Sequence, residues 1–416
     1  MFRTARCVRA AWCALALTLA GCGGDVATTS NSSSTVAAVG TQSSSASTAA
    51  NKGASGSSAS STSGSSSSGA NATDGTSPAA KLAAAIGKPS RLLVGLGTQG
   101  TAGVSSAVIS QRLAPDIYDR YLGGSWTTWD SPPCDYVCLV AKEAESFGAV
   151  PMFTLYQMAD DGGDNLSVLT NTAFMSSYWA RVKLLYQDIA AFKKPTLVNL
   201  EPDFWGFAER ASPNGDPKQL AALVRSNPDC ATLTDDVAGV AGCLIAMARK
   251  YAPNAYVGFP PSSWGGKTHS DVIAFMNELG AASADFIVEQ TLDRDAGCYE
   301  SGASYCQGSG SYYWDESNFE DFLASVKQDT AGIGNLPLII WQTPLGVPSS
   351  TPGGSPYHYR DNREQIFLTH PTELTAVGAL ALVFGTGEDH QTNITTDGGQ
   401  FQKLDAAYLS APAALP

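Results

Sequence analysis

From residue 81 onward, short apolar segments alternate with longer stretches that have the spacing of amphipathic helices. The apolar segments are rich in β-branched and aromatic residues, as expected of buried strands, and they lie at residues 91–97, 117–123, 150–158, 196–201, 256–260, 286–290, 338–342 and 377–385. The helical pattern is clearest at residues 137–147, 172–192, 237–251, 272–279, 319–330 and 402–409. Alternation of strand and helix predicts parallel βαβ units. Eight such units predict an α/β fold, a (β/α)8 TIM barrel over residues 81–416.

A glycine motif in the first βα connection offers an alternative. Gly95-Leu-Gly97-Thr-Gln-Gly100 matches the dinucleotide-binding pattern G-x-G-x-x-G. That pattern requires a helix that begins at the third glycine and an acid at the end of the second strand. Here Gly103 interrupts the expected helix, and Asp116 and Asp119 come before or early in the second strand. We therefore interpret the segment as a βα loop and predict no cofactor.

The first 22 residues have the pattern of an export signal. Arg3, Arg6 and Arg9 precede an apolar stretch at residues 10–20, which is too short to span a bilayer. The stretch ends in Leu19-Ala20-Gly21-Cys22, which resembles a bacterial lipobox. The resemblance implies that Cys22 becomes the lipidated first residue of the mature chain, and an ordinary secretory signal is the alternative. We predict a location in the bacterial cell envelope, lipid-anchored at the periplasmic face or the outer surface of the outer membrane.

Residues 23–80 are dominated by Ser, Ala, Thr and Gly, and residues 25–80 contain no aromatic residue, leucine or isoleucine. Such a segment cannot bury enough apolar surface to fold, so we predict a disordered tether.

The formal net charge of the whole chain is −13, and the sequence contains no cluster of basic residues that would form a positively charged surface. This balance argues against nucleic acid as a partner. We expect a monomer.

Cysteine usage is consistent with export. Beyond Cys22, the C-terminal part of the chain contains three close pairs, which are Cys134 with Cys138, Cys230 with Cys243, and Cys298 with Cys306. Six cysteines allow fifteen connectivities, and bridges between neighbours are the simplest hypothesis for an exported protein. A zinc site is the alternative, although no histidine lies near any pair. We predict no metal.

Acidic, aromatic and amide side chains follow the predicted strands. The candidates are Tyr156 after the third strand, Glu201, Asp203 and Trp205 after the fourth, Trp264 after the fifth, Glu289 in the sixth, Trp341, Gln342 and His358 in or after the seventh, and His390 after the eighth. Because the C-terminal ends of barrel strands meet at one face, we expect these side chains to converge there. A sugar suits such a site, since its apolar face stacks on aromatic rings and its oxygens accept protons and hydrogen bonds.

Hydrolysis of a glycosidic bond requires two carboxyl groups. Glu201 is the first choice for the proton donor, because Trp205 and a neighbouring acid are expected to raise its pKa. Glu289 is the first choice for its partner, and Asp203 is the fallback. The alternative for Glu201 and Glu289 is a buried acid held by an arginine or by backbone N–H groups. For the tryptophans the alternative is packing at the top of the barrel, and for the histidines it is a structural hydrogen bond.

Asn199-Leu200-Glu201-Pro202 resembles the Asn-Glu-Pro signature of clan-A-like glycoside hydrolases, with one residue inserted between Asn and Glu. Those barrel enzymes carry their acid/base glutamate at the end of strand four, so the resemblance implies this role for Glu201. They place a nucleophilic glutamate on strand seven, where this chain has Trp341-Gln342-Thr343. A glutamine cannot be that nucleophile, so a second carboxylate must lie elsewhere.

The sequence therefore predicts an exported glycoside hydrolase with a (β/α)8 barrel, acting on a poly- or oligosaccharide. A non-catalytic, carbohydrate-binding surface lipoprotein is the alternative from another class. A polysaccharide lyase is a third, because Tyr359 and Arg360 offer the basic side chains that it requires.

Overall fold

The computed structural model describes residues 76–98, 104–129, 135–159, 166–291, 313–346, 361–386 and 392–416. Eight parallel strands close into a barrel in chain order, and the last pairs with the first. They are β1 (Leu93–Thr98), β2 (Ile117–Leu122), β3 (Val150–Leu155), β4 (Thr196–Leu200), β5 (Ala255–Phe259), β6 (Phe286–Gln290), β7 (Leu338–Thr343) and β8 (Ala379–Phe384). The predicted (β/α)8 TIM barrel is confirmed, and each of the eight predicted strands is present.

Helices surround the barrel. They are α1 (Pro78–Ala85), α2 (Val104–Gln111), α3 (Tyr136–Ser146), α4 (Thr172–Phe192), α5 (Phe204–Ala211), α6 (Val237–Tyr251), α7 (His269–Glu278), α8 (Glu316–Gly332), α9 (Arg363–Thr369), α10 (Pro371–Ala376) and α11 (Gln400–Ser410). The six predicted helices are confirmed. The prediction missed α1, α2, α5, α9 and α10, which have six to eight residues each and are too short to show a clear helical period.

The barrel interior and the layer outside it form two separate apolar cores. Alternate strand residues such as Ile117, Met152 and Ile339 fill the interior, while their neighbours pack outward against the helices. Helix α1 closes the N-terminal end of the barrel, because Leu82 belongs to the interior core. This helix begins a few residues before the predicted boundary at residue 81, and Ser77 caps it just ahead of Pro78.

Two glycines of the dinucleotide-like motif have a packing role. A Cβ atom at Gly95 would lie 2.8 Å from Ile117 Cβ, and one at Gly97 would lie 2.8 Å from Asp119 Cβ. Glycine at these positions lets β1 approach β2 inside the barrel. The dinucleotide-binding unit needs an open sheet with a crevice where the strand order reverses. The closed barrel has no such reversal, which contradicts the alternative drawn from the motif.

One of the three predicted disulfides is confirmed. Cys230 and Cys243 form a bridge that joins the loop before α6 to the helix itself. Cys138 is also disulfide-bonded. The remaining predicted disulfide residues lie outside the described part of the chain, and they are Cys134, Cys298 and Cys306. The bridge between Cys298 and Cys306 therefore stays a prediction.

Among the helices of the described ranges, none has both the length and the apolar character needed to cross a membrane.

Candidate functional site

Backbone strain is concentrated at the C-terminal ends of β4 and β7. Glu201, Asp203 and Gln342 have φ angles of 53°, 65° and 51°, in the left-handed region that residues other than glycine rarely adopt. Lys193, which also has a positive φ, lies at the C-terminal end of α4, where this conformation is common. Strain of this kind persists where the surrounding structure enforces it, and it often marks a functional site.

A polar cluster lies inside the barrel just below this end. Asp119 Oδ2 accepts a hydrogen bond of 2.8 Å from Trp341 Nε1, and its Oδ1 accepts one of 2.9 Å from Thr154 Oγ1. Burial raises the pKa of Asp119 to about 6, although Trp341, Thr154 and Arg120 each oppose part of the rise. The prediction did not include Asp119. The alternation of inward Ile117, Asp119 and Tyr121 along β2 was the signal that would have found it.

Above this cluster, a ring of tyrosine, amide and carboxylate groups forms the rim. The Tyr156 hydroxyl donates a 3.1 Å hydrogen bond to Asp203 Oδ2, and the Gln342 side-chain amide donates to the Tyr121 hydroxyl. Gln290 Nε2 donates to Gln342 Oε1 at 2.8 Å. The Tyr121 ring packs edge-on against that of Tyr156, at 5.7 Å between centroids. The structure thus brings together the predicted Tyr156, Asp203 and Gln342 and adds Tyr121 and Gln290.

Glu201, the predicted proton donor, does not belong to this rim. Its Oε2 accepts hydrogen bonds of 2.9 Å from the backbone N–H groups of both Gln157 and Met158. Its side chain is 0% exposed and lies beside Tyr178 and Arg181 of α4, outside the barrel interior. Glu201 is therefore a buried acid that fixes the loop after β3, and no substrate can reach it in this conformation.

Glu289 and Asp203 line the same cavity. The cavity lies between the ends of β4, β5 and β6, and its wall consists of Pro202, Asp203, Pro260, Pro261, Ser262, Ser263, Trp264, Glu289 and Gln290. Glu289 is 6% exposed, and its side chain lies on the outward face of β6 beside Asp329 of α8, since Phe286 and Val288 belong to the interior core. Burial, and then the nearby Asp329, raise the pKa of Glu289 well above its ordinary value.

The tryptophans occupy different positions from those predicted. Trp205 is 1% exposed, packs against Phe204 and Phe259, and donates from Nε1 to the Leu200 carbonyl at 2.7 Å. Trp341 is equally buried inside the barrel. Neither ring has a face open to a sugar in this conformation. The sequence places Trp205 beside an acid, but helix α5 turns its ring into the core.

Trp264 does reach the cavity. Its ring packs edge-on against Phe207 at 4.9 Å, and the guanidinium carbon of Arg210 lies 4.5 Å from the ring centre. Arg210 also donates two hydrogen bonds to the Trp264 carbonyl oxygen, of 3.0 and 2.7 Å. These contacts hold the indole at the cavity wall, where it remains a candidate for sugar binding.

Several predicted residues lie outside the described part of the chain. They are His358, His390, Tyr359, Arg360 and the lipidation candidate Cys22. Within the described ranges, no three His, Cys, Asp or Glu side chains form a group that could hold a metal ion.

Comparison with known proteins gives similarity to solved structures. No family model matches the chain, and no curated protein matches it. A GH18 chitinase from Pseudoalteromonas aurantia matches at 12% identity and a TM-score of 0.44, covering 76% of this chain and 99% of that one. XEG5B, a GH5 xyloglucan-specific β-1,4-glucanase from a ruminal metagenomic library, matches at 14% identity and a TM-score of 0.44. The match covers 82% of this chain and 94% of that one. D-allulose 3-epimerase from Methylomonas sp. matches at 12% identity and a TM-score of 0.41. The match covers 77% of this chain and 98% of that one.

These similarities concern the barrel, which glycoside hydrolases and an epimerase share in the matched structures. What the protein does must therefore be inferred from its own residues.

The buried position of Glu201 leads to a prediction about stability. Burial raises the pKa of Glu201 from 4.5 to about 7, so between these pH values the folded chain holds a proton that the unfolded chain has released. The free energy of unfolding is then expected to lose the contribution of Glu201 as pH rises from 4.5 to about 7, with no further change above. Denaturant unfolding of the wild type and Glu201→Gln from pH 4 to 8 checks this. The wild type should lose stability relative to the variant across that window, and a difference independent of pH would contradict it.

Proposed function

We propose that this protein is a glycoside hydrolase that acts on a poly- or oligosaccharide, with Asp203 and Glu289 as its two carboxyl groups. The observation that supports this most directly is that both residues line one cavity at the C-terminal end of the barrel. In (β/α)8 enzymes this end carries the reacting groups. Glu289 therefore stays one of the two proposed catalytic carboxyl groups, and Asp203 takes the place of Glu201 as the other.

The surroundings of the two carboxyl groups favour different roles. Glu289 lies in a desolvated position beside Asp329, and burial followed by the charge of Asp329 raises the pKa of its carboxyl group, which favours a general acid. Asp203 is partly exposed, carries the strained φ angle, and accepts the hydrogen bond from Tyr156. This arrangement suits the carboxylate that acts on the sugar carbon or on water. Gln290 lines the cavity as a candidate hydrogen-bonding partner for sugar hydroxyls, and Trp264 offers an indole beside it.

A non-catalytic carbohydrate-binding protein is the second candidate. The burial of Glu289, at 6% exposure, favours it, because a catalytic acid must reach the glycosidic oxygen. Release of reducing ends from a panel of polysaccharides, together with affinity electrophoresis in gels containing the same polymers, separates the two candidates. Turnover by the full-length chain supports the hydrolase. Retardation without turnover would support the binding protein.

We also propose that the protein is exported and anchored by a lipid on Cys22. The support is the arginine-rich start, the apolar stretch and the sequence Leu19-Ala20-Gly21-Cys22. Replacing Cys22 by serine is expected to abolish incorporation of labelled palmitate and to move the protein from the membrane fraction to the soluble fraction. Unchanged fractionation of a fully processed variant would contradict the anchor.

A further inference from the structure

Two hydrogen bonds cross the barrel interior from β7 to β2. Trp341 Nε1 donates to Asp119 Oδ2 at 2.8 Å, and the side-chain amide of Gln342 donates to the Tyr121 hydroxyl. The two strands that carry these residues are not neighbours, because β8 and β1 lie between them in the barrel. This pair of hydrogen bonds is called the cross-barrel clamp below.

An irregularity in β7 allows two consecutive residues to take part in the clamp. Trp341 belongs to the interior core, so by alternation the next side chain would ordinarily point outward. The pairing of β7 with β8 shifts its register between Ile340 and Thr343, and Gln342 has a φ of 51°. Irregularities of this kind re-aim side chains and are frequent next to active sites. In this barrel the irregularity brings the Gln342 amide to Tyr121.

A glycine in β1 leaves room for the first bond of the clamp. Gly97 pairs with Asp119 in the ladder between β1 and β2. A Cβ atom at Gly97 would lie 3.0 Å from Asp119 Oδ2 and 3.3 Å from Val383 Cγ1 of β8. A side chain at this position would therefore press on the carboxyl oxygen that accepts the bond from Trp341. The clamp thus explains one glycine of the dinucleotide-like motif.

The Asp119 carboxyl group is also fixed at its second oxygen. Asp119 Oδ1 accepts a 2.9 Å hydrogen bond from Thr154 Oγ1 of β3, and Asn199 Nδ2 of β4 donates to the same hydroxyl at 3.4 Å. These bonds turn Oδ2 toward Trp341. Because the group is buried, removing either partner of the bond to Trp341 leaves the other without a hydrogen bond and without water.

The clamp supports the aromatic rings of the rim. The ring of Trp341 lies 5.6 Å from that of Tyr121 between centroids, and Tyr121 packs edge-on against Tyr156 at 5.7 Å. The Tyr156 hydroxyl in turn donates to Asp203 Oδ2 at 3.1 Å. A continuous series of contacts therefore runs from Asp119, which is 1% exposed, to the carboxyl group of Asp203.

We propose that Asp119 and Trp341 are positioning residues, which fix the orientation of Asp203 through the tyrosine pair of the rim. This inference rests on the proposed function. Neither residue needs to touch the sugar, because a displacement of a reacting group by about 1 Å can by itself cost about 10²-fold in rate. The clamp also holds the strained backbone at Gln342, which persists because its surroundings enforce it.

The test uses the full-length chain on whichever polysaccharide the panel shows to be hydrolysed. Asp119→Leu keeps the approximate size of the side chain but cannot accept a hydrogen bond, and it is expected to lower kcat by roughly ten- to a hundredfold. Asp119→Asn is expected to restore most of the rate, because its amide oxygen can accept from Trp341 while its NH2 group faces the Thr154 hydroxyl. In both variants KM should change less than kcat.

A double-mutant cycle examines the bond between the two residues. Trp341→Phe removes the donor and keeps an aromatic ring, so its loss of kcat should resemble that of Asp119→Leu. The double variant should be no slower than the slower single variant, since both changes remove the same bond. Losses of kcat that multiply in the double variant would overturn the proposal.

The matched control is Trp179→Phe. Trp179 Nε1 donates a 3.1 Å hydrogen bond to the Leu223 carbonyl, and its ring lies on α4 in the apolar layer outside the barrel. This variant loses a buried indole hydrogen bond of the same kind, and it should keep the wild-type kcat below its unfolding temperature. Equal losses of kcat in Trp179→Phe and Trp341→Phe would overturn the positioning role.

Trp341→Phe carries the test by itself should Asp119→Leu not fold, with circular dichroism as the check of the folded state. A folded Trp341→Phe variant with wild-type kcat would overturn the positioning role while the hydrolase proposal stands. Failure of the hydrolase proposal has a separate signature, namely a wild type that binds polysaccharide without turnover.

Discussion

Asp203→Asn is expected to lower kcat by about 10²–10⁴-fold, the range typical of a lost acid/base group. Asparagine has nearly the same shape and can still accept the hydrogen bond from Tyr156. It cannot take a proton from water or carry the charge that stabilises the sugar carbon. Substrate binding should therefore survive, and KM or affinity in gels should change much less than kcat. Initial rates on the hydrolysed polysaccharide, with the folded state checked by circular dichroism, measure the effect.

The matched control for this prediction is Glu201→Gln. It makes the same carboxyl-to-amide change two residues earlier in the chain, at a side chain that is fully buried outside the barrel interior. Measured below its unfolding temperature, this variant should keep kcat within a few-fold of the wild type. A variant Glu201→Gln that loses activity while Asp203→Asn keeps it would restore the role that the Asn-Glu-Pro resemblance implies.

Trp205→Ala is expected to lower the free energy of unfolding by about 3–5 kcal/mol, the range observed for truncating a buried tryptophan. The change removes a ring that contacts Phe204 and Phe259 at 4.7 and 5.1 Å between centroids. It also leaves the Leu200 carbonyl without its donor, at the end of the strand that precedes Asp203. Denaturant unfolding followed by circular dichroism measures the loss.

Trp205→Phe separates the two causes, because phenylalanine keeps most of the apolar volume and lacks the indole N–H. Its loss of stability should be clearly smaller than that of the alanine variant. The contrary result would be an alanine variant with wild-type stability and weakened polysaccharide binding. That outcome would favour the sugar-stacking role that the burial of Trp205 contradicts.

The barrel could be predicted because its strands are buried on both faces. Segments such as residues 286–288 and 338–341 are apolar on inward and outward positions alike, and they stand out in the sequence without any knowledge of their partners. The short helices, including α5, could not be predicted in this way. Helices of two turns depend on tertiary contacts for their stability, and their sequences show little periodicity.

The site was predictable in part, and backbone geometry explains the rest. Convergence of the strand ends brought Tyr156, Asp203 and Gln342 to one rim, as expected. The side-chain direction of Glu201 could not be read from alternation along β4, because a φ of 53° turns the chain at that residue. Asp119 could not be predicted from convergence of the strand ends, because it occupies an inward position within β2.

Relief of backbone strain alone would favour glycine at Asp203 and Gln342, because their backbones already have the left-handed conformation, which glycine adopts without a steric penalty. Each such change would also remove a carboxylate or an amide from the rim, together with its hydrogen bonds to Tyr156, or to Tyr121 and Gln290. Directed evolution of this barrel therefore faces a trade-off between robustness and turnover at these two positions. A library screened by survival at high temperature should be scored for sugar release in the same round.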